Sequence, residues 1–477
     1  MTPSPASLTV SSASVAAPPA PAAAGVRLSE VVSALSYALD ITEGQPEGHA
    51  VRTCLIGMRL AREIGLPPPT RSALFYALIL KDLGCSSNSA KVSYLFGADD
   101  RDVKRDVKIT DWTRSGDALK YLFRNALPGR STFRRILRTI ALAIRGSRGA
   151  REIQRIRCDR GAEIARMIEL PEESVPAIRH LDEHWDGNGY PDSLKGDAIP
   201  LLARILCLAQ TVEVFWRAYG VAAAGAMARD RSGTWFDPDL VRILGVVEMD
   251  ADFWEKLRRP DTREQAAALE PPDRIVTADD ARMDLIAQAF ARVVDAKSPW
   301  TFKHSERTAG IAVGVGKILG FDAAMLRDVS RAALLHDIGK LGVSNLVLDK
   351  KGPLSGPEWY EMRSHPEKTH RILSRVPCFS DVADLAGAHH ERLDGSGYFR
   401  GLTVDRMTLA ARTIPVADIY EALSADRPYR AGLPRDEVFK IMKPQAGVRI
   451  CKECFEALEA FLATDEAGAY VKKAKKA

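Results

Sequence analysis

The chain contains an internal repeat, and this repeat constrains the fold more than any other feature of the sequence. WDGNGYPDSLKGDAIPLLARILCLAQTVEVF at 185–215 aligns with LDGSGYFRGLTVDRMTLAARTIPVADIYEAL at 393–423, at a constant offset of 208 residues. In both segments a loop rich in glycine precedes a mostly apolar stretch. Similarity at a fixed offset is the mark of a duplicated structural unit. The sequence therefore predicts two copies of one domain.

A second alignment extends the repeat upstream. His49 aligns with His304, and Lys81 aligns with His336, both at an offset of 255 residues. The two offsets differ by 47 residues, and this difference places an insertion in the first copy, at about 85–156. At 477 residues the chain is long enough for two such domains, each with its own core.

Helical periodicity runs through both copies. AVRTCLIGMRLAREIGL (50–66), SALFYALILKDLG (72–84) and RDVSRAALLHDIG (327–339) have apolar residues three and four positions apart. This is the spacing of a helix with one buried face. The alternation typical of strands is scarce. We predict an all-α fold built from tandem helical domains.

The predicted domain boundaries follow from the repeat and from local composition. Residues 1–26 are nearly all Ala, Pro, Ser, Thr and Val, a composition that cannot bury enough surface to fold. We predict a disordered leader at 1–26, the first copy at 27–259, a proline-containing linker at 260–282, the second copy at 283–464 and a basic tail at 465–477.

The insertion is strongly basic. Between residues 101 and 157 there are sixteen Lys and Arg residues against five Asp and Glu residues. Such a charge run forms either a solvated helix face or a surface for an anionic or protein partner. The net charge of the whole chain is only +5, which by itself does not indicate nucleic acid, and we expect no DNA binding.

Histidines are concentrated in the second copy. Six of the nine lie between 304 and 390: His304, His336, His365, His370, His389 and His390. Together with Asp337 and Asp418 they form a set of imidazoles and carboxylates that suits Fe, Mn or Zn. An Asp at the buried end of an amphipathic helix is costly unless a cation compensates it. The two oxygens of Asp337 could bridge a pair of ions roughly 3.5–4 Å apart.

The first copy provides an internal control. Each of these residues taken alone could be a helix cap or a satisfied core side chain. In the first copy, however, His336 is replaced by Lys81, His365 by Arg157, His389 by Leu181, His390 by Asp182 and Asp418 by Gln210. Only Asp82 matches Asp337. The apolar framework is kept while the ligands are lost, so we predict that only the second copy holds metal and that the first copy is catalytically silent.

Three motifs of the second copy resemble those of the HD-GYP family, a branch of the HD superfamily of metal-dependent phosphohydrolases. They are HDIGK at 336–340, HHERLDGSGY at 389–398 and VADIYEALSADRPYR at 416–430, and the resemblance covers about residues 283–445. It implies an all-helical domain that hydrolyses cyclic di-GMP at a dinuclear or trinuclear iron or manganese centre.

The resemblance also implies roles for individual residues. The matching metal ligands are His336, Asp337, His365, His389, His390 and Asp418, with His304 as a ligand in some members. Lys340 matches the lysine that contacts the scissile phosphate, so that Lys340 and Asp337 are the predicted catalytic residues. The matching substrate-binding positions are Gly397, Tyr398, Arg427 and Arg430.

Two positions depart from the family pattern. Trp300 replaces a glutamate of the members with three metals, and this favours two divalent ions, Fe or Mn. Phe399 replaces the proline of the GYP motif. Losing that proline frees one backbone angle beside Tyr398, so the substitution puts substrate positioning in doubt more than metal binding.

We therefore predict a cytoplasmic phosphodiesterase that converts cyclic di-GMP to pGpG and onward to GMP. Its first copy would be regulatory or dimerising, with a homodimer or a signalling protein as the partner. Two alternatives stay open: an adaptor that binds nucleotide or protein without turnover, and a hydrolase of another cyclic nucleotide. No apolar run is long enough for a membrane span.

Overall fold

Helices account for nearly all the regular structure of the chain. The computed structural model describes residues 26–111, 114–271, 277–301, 303–426 and 430–470. Almost all of the predicted leader and the end of the predicted basic tail lie outside these ranges. Within them the strands are two residues long, so the predicted all-α fold is confirmed.

The first half of the chain holds thirteen of the described helices. They are α1 (Leu28–Thr42), α2 (His49–Glu63), α3 (Pro68–Ile79), α4 (Ser89–Phe96), α5 (Asp100–Ile109), α6 (Ser115–Asn125), α7 (Thr132–Met167), α8 (Ser174–Arg179), α9 (Leu201–Tyr219), α10 (Val221–Asp230), α11 (Pro238–Glu248), α12 (Ala251–Lys256) and α13 (Thr262–Ala267). Gly146 has non-helical backbone angles and divides α7 into two segments.

The second half holds ten described helices. They are α14 (Asp280–Asp295), α15 (His304–Ile318), α16 (Ala323–Leu335), α17 (Asn345–Leu348), α18 (Gly356–Arg363), α19 (His365–Leu373), α20 (Ser380–Gly387), α21 (Leu409–Ser424), α22 (Arg435–Met442) and α23 (Lys452–Phe461). Strands β1 (Val26–Arg27) and β2 (Thr277–Ala278) pair antiparallel at the starts of the two halves.

Equivalent helices pack in equivalent ways in the two halves. In the first half α2 packs against α3 and α9, and α8 packs against α9. In the second half α15 packs against α16 and α21, and α20 packs against α21. This arrangement supports the two predicted copies, whose exact boundaries stay a prediction.

Helices α1 and α14 lie between the halves. Besides its own copy, α1 contacts α19 and the 3-10 turn Ile338–Gly342, and α14 contacts α7 and the 3-10 turn Cys85–Asn88. The two contacts are reciprocal. One large apolar core consequently extends through both halves.

Two glycines explain why these turns pack so closely. A Cβ atom on Gly339 would lie 2.0 Å from the backbone oxygen of His365, and a Cβ on Gly84 would lie 1.9 Å from that of Arg157. Any larger residue would push the turn away from the neighbouring helix. The first copy has thus kept the framework of the second at a position where only glycine fits.

The predicted linker is largely built into the first half. Its helix α13 packs on α2, with Ala266 fully buried. Glu270 accepts hydrogen bonds from the hydroxyls of Ser29 and Tyr76. Residues 272–276 lie outside the described ranges. The insertion forms helices α4 to α6 and much of α7, around a small apolar core of its own.

Candidate metal centre

The structure brings the predicted ligands of the second copy together in two groups. His304, His336 and Asp418 form the first group, and His365, His389 and His390 form the second. Within each group one ligand atom from every residue lies within 4.8 Å of the others. Helix α15 begins at His304 and α19 begins at His365, while Asp418 comes from α21. Distant parts of the chain thus converge on one buried place.

Asp337 lies between the two groups. Its Oδ2 is 3.4 Å from Nε2 of His304 and 3.4 Å from Nε2 of His336. Its Oδ1 is 3.4 Å from Nε2 of His365 and 3.8 Å from Nε2 of His389. Each oxygen therefore faces one group, as a carboxylate that bridges two cations would.

Backbone carbonyls fix the orientation of three imidazoles. Nδ1 of His336 donates to Ala333 O at 2.7 Å, Nδ1 of His365 to Met362 O at 2.6 Å, and Nδ1 of His389 to Ala386 O at 2.7 Å. With the proton on Nδ1, the lone pair of Nε2 points into the site. This is the usual support of a histidine that binds a metal.

Some of the ligand atoms that point into the site lack hydrogen-bond donors in the described structure. Nε2 of His365 lies 3.0 Å from Nε2 of His389, a contact between two lone pairs when both protons are on Nδ1. Oδ1 of Asp337 is buried without a hydrogen bond in the described structure. A buried acceptor left in this state is costly. Both features are explained if cations lie between these atoms, so the donor set fits divalent metal ions.

Electrostatics divide the two groups. Burial lowers the pKa of His389 to about 3, and burial and Lys340 hold the pKa of His365 well below its usual value. Burial also opposes a charge on His304, but hydrogen bonds to Asp337 and Glu421 raise its pKa to about 10. The second group is thus neutral and ready to bind a cation, whereas the first faces several carboxylates.

A supporting carboxylate was missed by the sequence analysis. Glu421 is buried and accepts a hydrogen bond from Nδ1 of His304 at 2.5 Å and another from Nε of Arg307 at 2.6 Å. Glu213 makes the same contacts with His49 and Arg52 in the first copy. The sequence contains a signal for this carboxylate, because His49 and Arg52 align with His304 and Arg307 at the offset of 255, and Glu213 aligns with Glu421 at the offset of 208. Glu421 holds the His304 ring in place rather than facing the metal site.

The glycine-rich loop is held by another carboxylate. Glu391 accepts hydrogen bonds from the backbone N–H groups of Arg400 and Leu402, at 2.7 and 2.9 Å. A Cβ on Gly397 would lie 2.5 Å from the backbone of this segment, so the loop needs glycine there. Phe399, in place of proline, packs against the ring of His370. His370 itself pairs with Asp384 and lies outside both groups.

Tyr398 forms one wall of the site. Its ring lies 4.9 Å from that of His390, and the guanidinium of Arg363 lies 4.5 Å from its centre. Lys340 is half-buried, with Nζ 2.5 Å from Oδ2 of Asp337. Arg363 is exposed, and its role was not predicted because nothing in its local sequence pattern distinguishes it from other surface arginines. The site therefore presents two cationic side chains beside the ligand groups.

Of the two arginines predicted to bind substrate, the structure describes only Arg430. Arg430 donates to Leu423 O at 2.9 Å and Ala422 O at 2.6 Å, at the C-terminal end of α21. It caps that helix in this structure. Arg427 lies outside the described residues.

In the first copy, cationic side chains surround the equivalent of the bridging Asp. Nζ of Lys81 lies 3.1 Å from Nε2 of His49 and contacts the Asp82 carboxylate. Arg157 lies 3.5 Å and Lys108 3.7 Å from the other oxygen of Asp82. Burial alone would raise the pKa of Asp82, but these cations hold it well below its usual value. The carboxylate is already neutralised by the protein itself.

The comparisons with known proteins match an HD domain and phosphodiesterases of cyclic dinucleotides. A family model described as HD domain matches residues 150–240 and 288–452. The chain is 42% identical over 432 residues to the 3'3'-cGAMP-specific phosphodiesterase 3 of Vibrio cholerae, covering 91% of this chain and 94% of that protein. It is 36% identical over 144 residues to a cyclic di-GMP phosphodiesterase of Pseudomonas aeruginosa, covering 30% and 35% of the two chains.

A solved structure is similar over nearly its full length. The crystal structure of a cyclic GMP-AMP specific phosphodiesterase of Vibrio cholerae superposes with a TM-score of 0.63 at 38% identity. The match covers 92% of this chain and 98% of that chain. It therefore includes both halves of the fold.

Proposed function

Because this chain belongs to the HD domain family, in its HD-GYP branch, we propose that it is a metal-dependent phosphodiesterase that opens the ring of a cyclic dinucleotide. The family predicted from three motifs is confirmed. The observation that carries the proposed activity is the position of Asp337 between two groups of inward-facing ligands. An adaptor without turnover would not need such a buried arrangement.

Two divalent ions, Fe or Mn, are the proposed cofactors. His304, His336 and Asp418 would hold one ion and His365, His389 and His390 the other, with Asp337 shared between them. When bound, such ions neutralise the charge of a phosphodiester and activate the attacking water. In the hydrolysis, water adds to phosphorus, the bond to the 3'-oxygen breaks, and a linear dinucleotide with a 5'-phosphate leaves.

The side chains around the ligands would position the substrate. Lys340 faces the site from the turn after Asp337 and would stabilise the negative charge that develops on the phosphate. The guanidinium of Arg363 can bind the second phosphate through two parallel hydrogen bonds. Tyr398 would hold a base or ribose against its ring. These roles rest on position and charge.

We propose 3'3'-cGAMP as the first substrate to test. The Vibrio cholerae protein named for that substrate matches both halves of the chain, whereas the Pseudomonas aeruginosa cyclic di-GMP phosphodiesterase matches under a third of it. Cyclic di-GMP, the substrate predicted from the motifs, is the second candidate. Metal ions and Lys340 would contact phosphate, which the two substrates share, so the discrimination would come from groups that contact the bases.

The first copy is proposed to support the catalytic loop. Arg101 of α5 donates to the backbone oxygen of Gly342 at 2.6 Å and to the carboxylate of Glu361 at 2.8 Å. The adjacent Asp100 accepts a hydrogen bond from the backbone N–H of Asn345 at 3.1 Å. These contacts hold the segment that directly follows Lys340. A regulatory role of the first copy would act through them.

Equivalent positions of the two copies provide the test. Asp418→Ala in the purified full chain should lose bound metal and lower turnover of 3'3'-cGAMP by at least about 100-fold, because ligands matter more than the residues behind them. Gln210→Ala, at the equivalent position of the first copy, should leave both unchanged. Metal content is measured by elemental analysis and turnover by chromatography of the products.

The same assay separates the alternatives. Hydrolysis of cyclic di-GMP but not of 3'3'-cGAMP would refute the proposed substrate and keep the enzyme. Absence of hydrolysis of any cyclic dinucleotide by the iron- or manganese-loaded protein would favour the adaptor. Full metal content and activity in Asp418→Ala would refute the proposed ligand set.

A further inference from the structure

An unpartnered apolar stripe runs along the first segment of α7. Its members are spaced three, four, seven and eleven positions apart, so they lie on one side of the helix. They are Phe133, Ile136, Leu137, Ile140 and Ile144, with 70%, 44%, 51%, 50% and 81% of their surface exposed. Single exposed apolar residues are common, but a continuous stripe of five large ones marks an interaction surface.

The stripe faces away from the small apolar core of the insertion. On the opposite side of the same helix Leu142 packs against that core of α4 to α6. Helix α6 packs beside α7 and adds the exposed side chain of Leu119. Between the two helices lies a shallow groove that is also lined by Phe123. The insertion thus has a packed core of its own, and a second apolar face of α6 and α7 stays exposed.

Basic residues border this face. Between 114 and 145 the chain has eight Lys and Arg residues and a single acidic one, Asp117. Arg134, Arg138 and Arg145 recur on one flank of the stripe, and within the described part of the chain none of their guanidinium groups makes an ion pair. Lys120 of α6 is exposed near the other flank.

The charges discriminate between occupants of the face. A second copy of the chain, related by a two-fold axis, would bring two such basic borders together, and like charges would oppose the pairing. An anionic lipid surface matches both properties, since apolar side chains enter the acyl boundary while arginines extend to the phosphates. We propose that the α6–α7 face binds the chain to the surface of an anionic membrane.

This binding is peripheral. In the described residues no helix is both long and apolar enough to cross a bilayer. A helix with one apolar face and a basic border lies in the plane of the interface. One weakly held helix gives reversible binding that depends on lipid charge and on salt. The inference is independent of the proposed catalytic activity, because it concerns a different surface and needs no substrate.

The test is sedimentation of the full chain with vesicles. Vesicles of phosphatidylcholine alone are compared with vesicles that also contain phosphatidylglycerol. We expect binding only to the anionic vesicles, weakened by salt. Leu137→Ser combined with Ile140→Ser should lower the affinity by about tenfold or more, and so should Arg134→Gln, Arg138→Gln and Arg145→Gln combined.

A matched control tests whether any loss of exposed apolar surface has this effect. Val246 and Met249 of the α11 region are 58% and 85% exposed, and the nearby Arg242 is paired with Asp239. Val246→Ser combined with Met249→Ser should bind anionic vesicles like the wild type. Arg138 is half-buried and the other substituted side chains are exposed, and none belongs to the apolar core. Helical content and unfolding temperature should therefore stay unchanged, and both are measured alongside.

Several results would overturn the proposal. One is an absence of preference for anionic vesicles, and another is wild-type binding by the Leu137→Ser, Ile140→Ser variant. A vesicle-free dimer that this variant converts to a monomer would assign the face to a second copy. Loss of a co-purifying acidic protein, with no binding to vesicles, would assign it to a protein partner.

Discussion

Asp100 and Lys297 form a buried ion pair between the two halves of the protein. Oδ2 of Asp100 lies 3.1 Å from Nζ of Lys297, and the two residues are 0% and 1% exposed. Burial alone would raise the pKa of Asp100, but Lys297 and Lys104 hold it below its usual value. Burial lowers the pKa of Lys297. Both charges have thus lost their water and depend on each other.

Asp100→Ala should destabilise the protein strongly. Two charges 3.1 Å apart attract each other by about 5 kcal/mol at an effective dielectric constant of about 20. Removing one member of a buried pair costs about 3–5 kcal/mol, because the other charge stays buried without a partner. We expect the free energy of unfolding to fall by about 3–5 kcal/mol, measured by urea denaturation followed by circular dichroism.

The double variant Asp100→Leu, Lys297→Met is the decisive control. Apolar residues of similar size need no charge compensation, so most of the lost stability should return. Asn345 loses its acceptor in both variants, so turnover should fall in both through the loop that follows Lys340. Equal stability of wild type and Asp100→Ala, or a double variant no more stable than the single one, would refute this reasoning.

Further predictions concern each copy separately. Glu421→Gln should weaken metal binding by about 10–100-fold without unfolding the chain, whereas Glu213→Gln should leave metal content unchanged, both measured by metal titration. Lys81→Met should lower the free energy of unfolding by about 2 kcal/mol and leave turnover unchanged, because two other cations still neutralise the neighbouring carboxylate. Burial raises the pKa of Asp40 from 3.8 to about 7, so the folded state holds a proton that the unfolded state has released between these values. Relative to Asp40→Asn, the wild type should therefore lose stability as the pH rises from about 4 to about 7, by up to about 4 kcal/mol, and a flat difference would contradict this. Dialysis against a chelator should abolish turnover, and added iron or manganese should restore it.

The repeat and the helical periodicity were sufficient to predict the fold class. They could not predict that α13 belongs to the core of the first half, because the prolines and charges around it are typical of a linker. The convergence of these histidines and carboxylates on one place was predictable, because the two copies differ at those positions and agree elsewhere. Each His on its own would have been read as structural.

Three contacts in and around the site were not predicted from the sequence. Lys297 and Asp100 are 197 residues apart, and nothing in the sequence pairs them. Arg430 has the spacing expected of a substrate ligand, but the chain turns it toward the carbonyls that end α21. Glu421 was predictable in principle, because it and Glu213 occur at the offset of 208. However, glutamates are common on exposed helix faces, so the sequence alone did not indicate that this one is buried.

The position of α1 has a practical consequence for dissecting the protein. A Cβ atom on Gly342 would lie 3.0 Å from the side chain of Ile41, so α1 forms a roof over the turn that carries Lys340. A fragment starting near residue 283 would lack α1, and the apolar surface of the second half that α1 covers would be exposed to solvent. Truncation at this point should destabilise the half that contains the histidine ligands. An inactive fragment would therefore not contradict the proposed activity of the full chain.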